Sequence, residues 1–172
     1  MANLSKSKYI TYCQCPKALW LKQYKSEEMV IDPLTQARFD AGTEVGELAK
    51  RLFGDFVEAT TYKTAADGTQ RLDLGAMAAA TQKALAEGAE NIAEAAFIYD
   101  GCYCAVDLLH KTPHGYAIYE VKSSTDLKEL EVYAQDVAYQ KYVLTNCGLN
   151  ITGTYLVNID NEYVLDGKLD VK

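Results

Sequence analysis

Asp107 and Glu120 lie thirteen residues apart, and Lys122 follows Glu120 by two. Asp107 sits within Cys102-Tyr103-Cys104-Ala105-Val106-Asp107-Leu108-Leu109, and the Glu-x-Lys closes Tyr116-Ala117-Ile118-Tyr119-Glu120-Val121-Lys122. Both runs are rich in β-branched and aromatic residues, which favour strands. Between them, Thr112-Pro113-His114-Gly115 suits a type I turn, with Pro at the second place and Gly at the fourth. With Pro113 and His114 as the loop, Thr112 pairs with Gly115, and counting outward puts Asp107 opposite Glu120, Cβ atoms ~5 Å apart. Lys122 shares the face of Glu120, because side chains on a strand repeat every second residue. Two carboxylates so placed repel unless one is protonated or a cation lies between them. A divalent metal is the economical explanation. The competing reading is a structural ion-pair cluster, and burying such charges for stability alone is unfavourable.

The chain around this group divides into recognisable elements. Ser5 or Ser7 caps a helix through Tyr9, Ile10 and Tyr12. Pro16 restarts a second helix that carries Leu19, Trp20, Leu21 and Tyr24. Leu34, Ala37, Ala41, Val45, Leu48 and Leu52 step by three or four, an amphipathic helix that Gly54 ends. Phe56 to Tyr62 reads as extended, Ala65 to Gly68 as a loop, and Leu72 to Ala89 as an alanine-rich helix. Three strands follow, Ile92–Tyr99, Cys102–His110 and Tyr116–Lys122, with Asp100-Gly101 as a short turn between the first two. Leu127 to Cys147 is a long helix stopped at Gly148. Ile151 to Ile159 and Tyr163 to Leu165 are again extended. Both faces of the central strands are apolar, as in a sheet covered by helices.

The chain has 172 residues and is 49% hydrophobic, which suits one globular domain with a real core, residues 1–172, including a helical N-terminal segment of about 1–54. No apolar run approaches the ~20 residues that span a bilayer, and the first residues do not resemble a secretory signal. A cytoplasmic location without membrane attachment is the default expectation. Asp170-Val171-Lys172 has no terminating structure, so a further C-terminal domain or partner protein is expected to adjoin this one. Five cysteines, an odd number in a chain of this length, suggest reduced thiols. Cys102 and Cys104 share a strand face with Val106 and Leu108 and read as small buried hydrophobes. Four-thiolate zinc binding by Cys13, Cys15, Cys102 and Cys104 would need unusual ligand spacing. The net charge of −7 argues against a protein that coats nucleic acid non-specifically. Residues 1–26, however, carry +5 through Lys6, Lys8, Lys17, Lys22 and Lys25, leaving −12 on the remainder. Such a segment attracts phosphate locally, or is simply a solvated lysine-rich face.

Asp…Glu-x-Lys on adjacent strands resembles the PD-(D/E)XK nuclease superfamily, and the likeness covers most of the chain. It is closest to the RecB-like and CRISPR-adaptation branch, in which a Ser-x-Ser…Cys-Pro segment precedes the core. Here that segment reads Ser5-Lys6-Ser7 and Cys15-Pro16. The runs Leu4 to Tyr9, Cys15 to Leu21, Gly42 to Ala49 and Asp136 to Gln140 are similar to an uncharacterised bacterial family of that superfamily. The resemblance implies an α/β fold with a central mixed sheet flanked by helices. It further implies a divalent-metal-dependent deoxyribonuclease of DNA repair, processing or defence.

The residue types suit that chemistry. Oxygen ligands hold Mg²⁺ or Mn²⁺, which keep several waters and bridge to a substrate phosphate. The metal acidifies a bound water and stabilises charge on the scissile group. Asp107 and Glu120 would be ligands, with the Val121 carbonyl as a further one, and Lys122 would act on the attacking water or the phosphorane. Gln140, or alternatively the pair Gln135 and Tyr139, would correspond to the polar fourth motif. RecB-like relatives carry Gly-Thr-x-x-His, whereas Gly42-Thr43-Glu44-Val45 here places Gly46 at the histidine position. Glu47, adjacent by alignment, or Glu44, nearer the apolar stripe, are the carboxylates available to replace that ligand. The CRISPR-adaptation relatives hold an iron–sulfur cluster with three C-terminal cysteines. No cysteine follows Gly148 here, so no cluster is expected. Lys6, Lys8 and Lys17 are the expected DNA contacts. A catalytically weak nucleic-acid-binding or assembly module of the same fold is the alternative, and a small-molecule metallohydrolase a weaker third.

Overall fold

Six strands form one mixed sheet in the computed structural model, which describes residues 4–125 and 130–167. Its centre is the meander β5 (Asn91–Tyr99), β6 (Cys102–Thr112) and β7 (Gly115–Lys122), in which neighbours run antiparallel. Helix α5 (Leu130–Asn146) then crosses over, and β8 (Ile151–Asn158) pairs parallel to β7. At the other edge β2 (Val57–Glu58) pairs parallel to β5. The N-terminal β1 (Leu4–Ser5) lies parallel to β6, with Leu4 against Cys102 and Ser5 against Tyr103. The fold is α/β, with parallel and antiparallel strands in one sheet and helices flanking it. No helix among the described residues is long and apolar enough to cross a membrane.

Local chemistry accounts for the meander. Asp100 and Gly101 both adopt positive φ, 44° and 76°, as a two-residue turn between right-twisted strands requires. Thr112 pairs with Gly115, the register expected from the Pro113-His114 loop. Gly115 is obligatory for a second reason, since a Cβ there would lie 2.1 Å from the Asn150 carbonyl oxygen. On one face α5 supplies Tyr139, Val143 and Leu144 to a cluster with Phe97, Val106, Leu109 and Ile118. On the other, Ala49 and Leu52 pack against Ala93, Leu108 and Tyr119. Helix α4 (Leu74–Ala86) covers β5, and the buried Ala96 N–H donates to Thr81 Oγ1 at 2.8 Å. That bond satisfies an amide that no strand reaches.

Several expectations need correction. Residues 65–68 are the expected loop, but they close a small hairpin of β3 (Tyr62–Thr64) and β4 (Gln70–Leu72), so Leu72, expected to open a helix, ends a strand instead. Tyr163 to Leu165 is not a strand. The expected start of the long helix at Leu127 lies outside the described residues, as does the Asp170-Val171-Lys172 terminus. Helix α3 (Pro33–Ala49) forms as its periodicity requires, capped by the Asp32 carboxylate, but its stripe is only partly covered. Leu34 is 65% exposed and Leu48 48%. Helices α1 (Lys6–Gln14) and α2 (Pro16–Tyr24) bury none of their residues.

The most consequential departure is a reversal of side-chain alternation. On β6, Cys104 and Val106 face α5, but so does Leu109, while Leu108 faces the opposite cluster. On β5, Ile92, Ala95 and Phe97 face α5 and Ala93 does not. Each strand therefore reverses its alternation once, at Glu94 and at Asp107. Those residues fall opposite one another between the pairs Ala93–Leu108 and Ala95–Val106. Glu94 achieves the reversal with φ of 53°, a left-handed conformation costing of order 1–3 kcal/mol in a non-glycine residue. Leu108 consequently does not share a face with Cys104, as strict alternation had suggested.

Candidate active site

Strands β6 and β7 part at the position of interest. Their ladder runs from Thr112–Gly115 to Leu108–Tyr119. The next step is taken by a side chain, because the Val121 N–H donates to Asp107 Oδ2 at 2.7 Å. Asp107 therefore accepts from the β7 backbone instead of standing as a bare carboxylate opposite Glu120. Beyond this fork, β6 is met by β1 in place of β7. The fork admits Lys6.

Lys6 opens α1, directly after the N-cap Ser5, whose side chain accepts from the Lys8 N–H. A cation in the first turn opposes the helix dipole, and here three carboxylates offset it. Lys6 Nζ lies 3.1 and 3.0 Å from the two oxygens of Glu120, 3.7 Å from Asp136 Oδ1 and 4.0 Å from Asp107 Oδ1. Burial alone would lower its pKa, but Glu120, then Asp107 and Asp136, hold it above the ordinary lysine value. The segment is clamped in place. Leu4 N–H donates to the Gly101 carbonyl at 3.1 Å, the Tyr139 hydroxyl donates to the Leu4 carbonyl at 2.7 Å, and Tyr9 stacks on Tyr139.

Lys122 completes the second half of the cluster. Its Nζ donates to Glu120 Oε1 at 2.6 Å and Asp136 Oδ2 at 2.8 Å, and it lies over the Tyr133 ring. Gln140 Nε2 donates to Glu120 Oε2 at 2.6 Å and Asp136 Oδ1 at 2.9 Å, while its buried Oε1 has no partner among the described residues. Glu120, only 2% exposed, thus receives both ammonium groups and one amide. Its burial raises its pKa, with Lys6 and Lys122 opposing. Burial works against the Asp136 charge as well, but Lys6 and Lys122 hold its pKa below the ordinary carboxylate value.

The structure therefore brings together Asp107, Glu120, Lys122 and Gln140 and adds Lys6 and Asp136. Lys6 had been expected on DNA phosphates; its ammonium is instead held within the carboxylates. Lys17 is exposed on α2, and Lys8 is half-buried on α1. Glu47 is not brought to the cluster. It lies exposed on α3 and pairs with Lys50 at 2.6 Å, which also holds Glu58 at 2.7 Å. Glu44 lines the same surface groove as Glu47 and Arg51. A Cβ at Gly46 would meet nothing within 4 Å, so the position expected of a histidine faces open space. The carboxylate that sequence reasoning missed on the far side of Asp107 is Glu94. Burial, then the charges of Asp107 and Glu58, push its pKa to about 7. The one available signal was a lone acidic residue inside an apolar strand.

Among the described residues, no group of three or more His, Cys, Asp or Glu side chains is spaced to hold a metal ion. The donor set nonetheless fits a hard divalent ion. It consists of carboxylate oxygens with a cationic group already between them, and Mg²⁺ needs only one or two carboxylates besides water and phosphate. The five cysteines are free thiols, and burial pushes Cys104 up to about 12, which leaves it unreactive. No protein-family model matches the chain, and no similar curated protein or solved structure was found.

Proposed function

We propose that this protein is a divalent-metal-dependent deoxyribonuclease of the PD-(D/E)XK, RecB-like kind. The observation that carries the reading is the fork between β6 and β7. There Asp107 and Glu120 converge, Lys122 bonds Glu120, and Gln140 from the following helix holds both Glu120 and Asp136. Asp107 and Glu120 would hold Mg²⁺ or Mn²⁺, which when bound supplies an acidified water and neutralises phosphate charge. Gln140 and Asp136 orient Glu120 and Lys122 from behind, as second-layer partners orient metal ligands. Lys122 presents an ammonium beside the carboxylate oxygens, placed to offset negative charge on a phosphoryl oxygen or to position a water.

Two observations favour the alternative, a nucleic-acid-binding module without catalytic competence. Lys6 already occupies the space between the carboxylates, and Gly46 offers no ligand. Incubation with single- and double-stranded DNA in Mg²⁺, Mn²⁺ or chelator separates the two. Cleavage that requires metal and is lost in Asp107→Asn and Glu120→Gln is the expected result. An inactive but DNA-binding wild-type protein in Mn²⁺ would favour the alternative.

A further inference from the structure

The seat between the carboxylates is held by the protein's own cation. Lys6 Nζ approaches both oxygens of Glu120 to within 3.1 Å and reaches Asp136 and Asp107 at 3.7 and 4.0 Å. A divalent ion bound to Glu120 would sit ~2.1 Å from an oxygen of that carboxylate, claiming the lone pairs Lys6 now occupies. We infer that Lys6 is a resident counter-ion of this basin which a divalent cation must displace, so that the N-terminal lysine and the metal compete for one seat. This rests on reading the basin as a divalent-ion site.

Charge supports exclusion over coexistence. Asp107, Glu120 and Asp136 are faced by the two ammonium groups of Lys6 and Lys122, leaving one net negative charge. Adding a divalent ion with both lysines in place would leave the cluster net positive. Withdrawing Lys6 brings it to neutrality, which a desolvated site favours. The side chain also has a way out. It is 21% exposed and belongs to the first residue of α1, so rotation about its own bonds frees the ammonium without unwinding the helix. Lys122 and Gln140 continue to orient Glu120 after Lys6 leaves.

The test uses the unaltered chain. Amine acetylation read by mass spectrometry should find Lys6 protected in chelator relative to exposed Lys17 and Lys22. Saturating Mn²⁺ should raise Lys6 labelling roughly tenfold or more, in the range of ordinary site-to-site coupling, with Lys17 and Lys22 unchanged. Calorimetry should show Lys6→Met binding Mn²⁺ roughly tenfold tighter or better. Lys6 still protected at Mn²⁺ saturation, or a folded Lys6→Met binding Mn²⁺ no more tightly, overturns the competition and leaves the metal site standing. Absence of Mn²⁺ binding in both proteins overturns the competition and the metal site together. If Lys6→Met does not fold, labelling of the unaltered protein decides.

Discussion

Glu94 is half-buried beside Asp107 in β5 with its backbone in a left-handed conformation, and its carboxyl is pushed up to about 7 where an ordinary glutamate titrates at 4.5. The native state therefore binds its proton more tightly than the unfolded chain does. For such a group stability falls as pH rises from the unfolded pKa to the folded one. At 1.36 kcal/mol per tenfold change in proton affinity, the ionised form costs about 3 kcal/mol at pH 8. Glu94→Gln removes the charge and keeps the shape. In chelator, the substitution should raise stability by about 3 kcal/mol at pH 8, or ~6–12 °C in melting temperature for a domain of this size. At pH 4.5 both carboxyl and amide are neutral in the native state, and the gain should shrink to about 0.5 kcal/mol or less. Paired calorimetric melts of parent and variant at the two pH values measure this. A gain of equal size at both would assign the effect to packing. No gain at pH 8 would mean that Glu94 ionises freely and that its opposition to Asp107 is unimportant.

Glu120→Gln should abolish Mn²⁺ binding by calorimetry, because it removes the carboxylate at the centre of the cluster, while Asp136 still pairs with both Lys6 and Lys122. Undiminished Mn²⁺ binding in this variant would remove Glu120 from the ligand set. Lys122→Ala should leave Mn²⁺ binding by calorimetry largely intact while slowing cleavage, as for a group that acts in the chemical step. For DNA binding, Lys8→Ala and Lys17→Ala should each reduce the log–log salt slope on duplex DNA by ~0.9 if each lysine meets one phosphate. A slope unchanged in the double variant would make them a solvated face.

Much of the site is legible in the sequence, for local reasons. A strand's two-residue period put Glu120 and Lys122 on one face, and the turn chemistry of Thr112-Pro113-His114-Gly115 set the pairing of β6 with β7. Helix α1 followed from its Ser5 cap and α2 from Pro16, again within a few residues of chain. Gln140 follows Asp136 by one α-helical turn, which explains why its amide reaches Asp136 as well as Glu120. None of this required knowledge of what lies across the sheet.

Tertiary structure decided what neutralises the carboxylates. Lys6 is 114 residues from Glu120 in sequence, and only the parallel pairing of β1 with β6 carries it into the fork. In sequence it is indistinguishable from Lys8 or Lys17, since a lysine's role depends on the charges around its ammonium. The same holds for Glu94 and Asp107. Periodic patterning assumes uninterrupted alternation, and both strands break it at one shared position. The apolar stripe of α3 shows the converse, a helix whose periodicity fixed its shape but not its burial. Hydrogen bonding between near neighbours writes helices and turns into local sequence. The balance of charge in a buried basin is set by groups that meet only when the chain has closed around them.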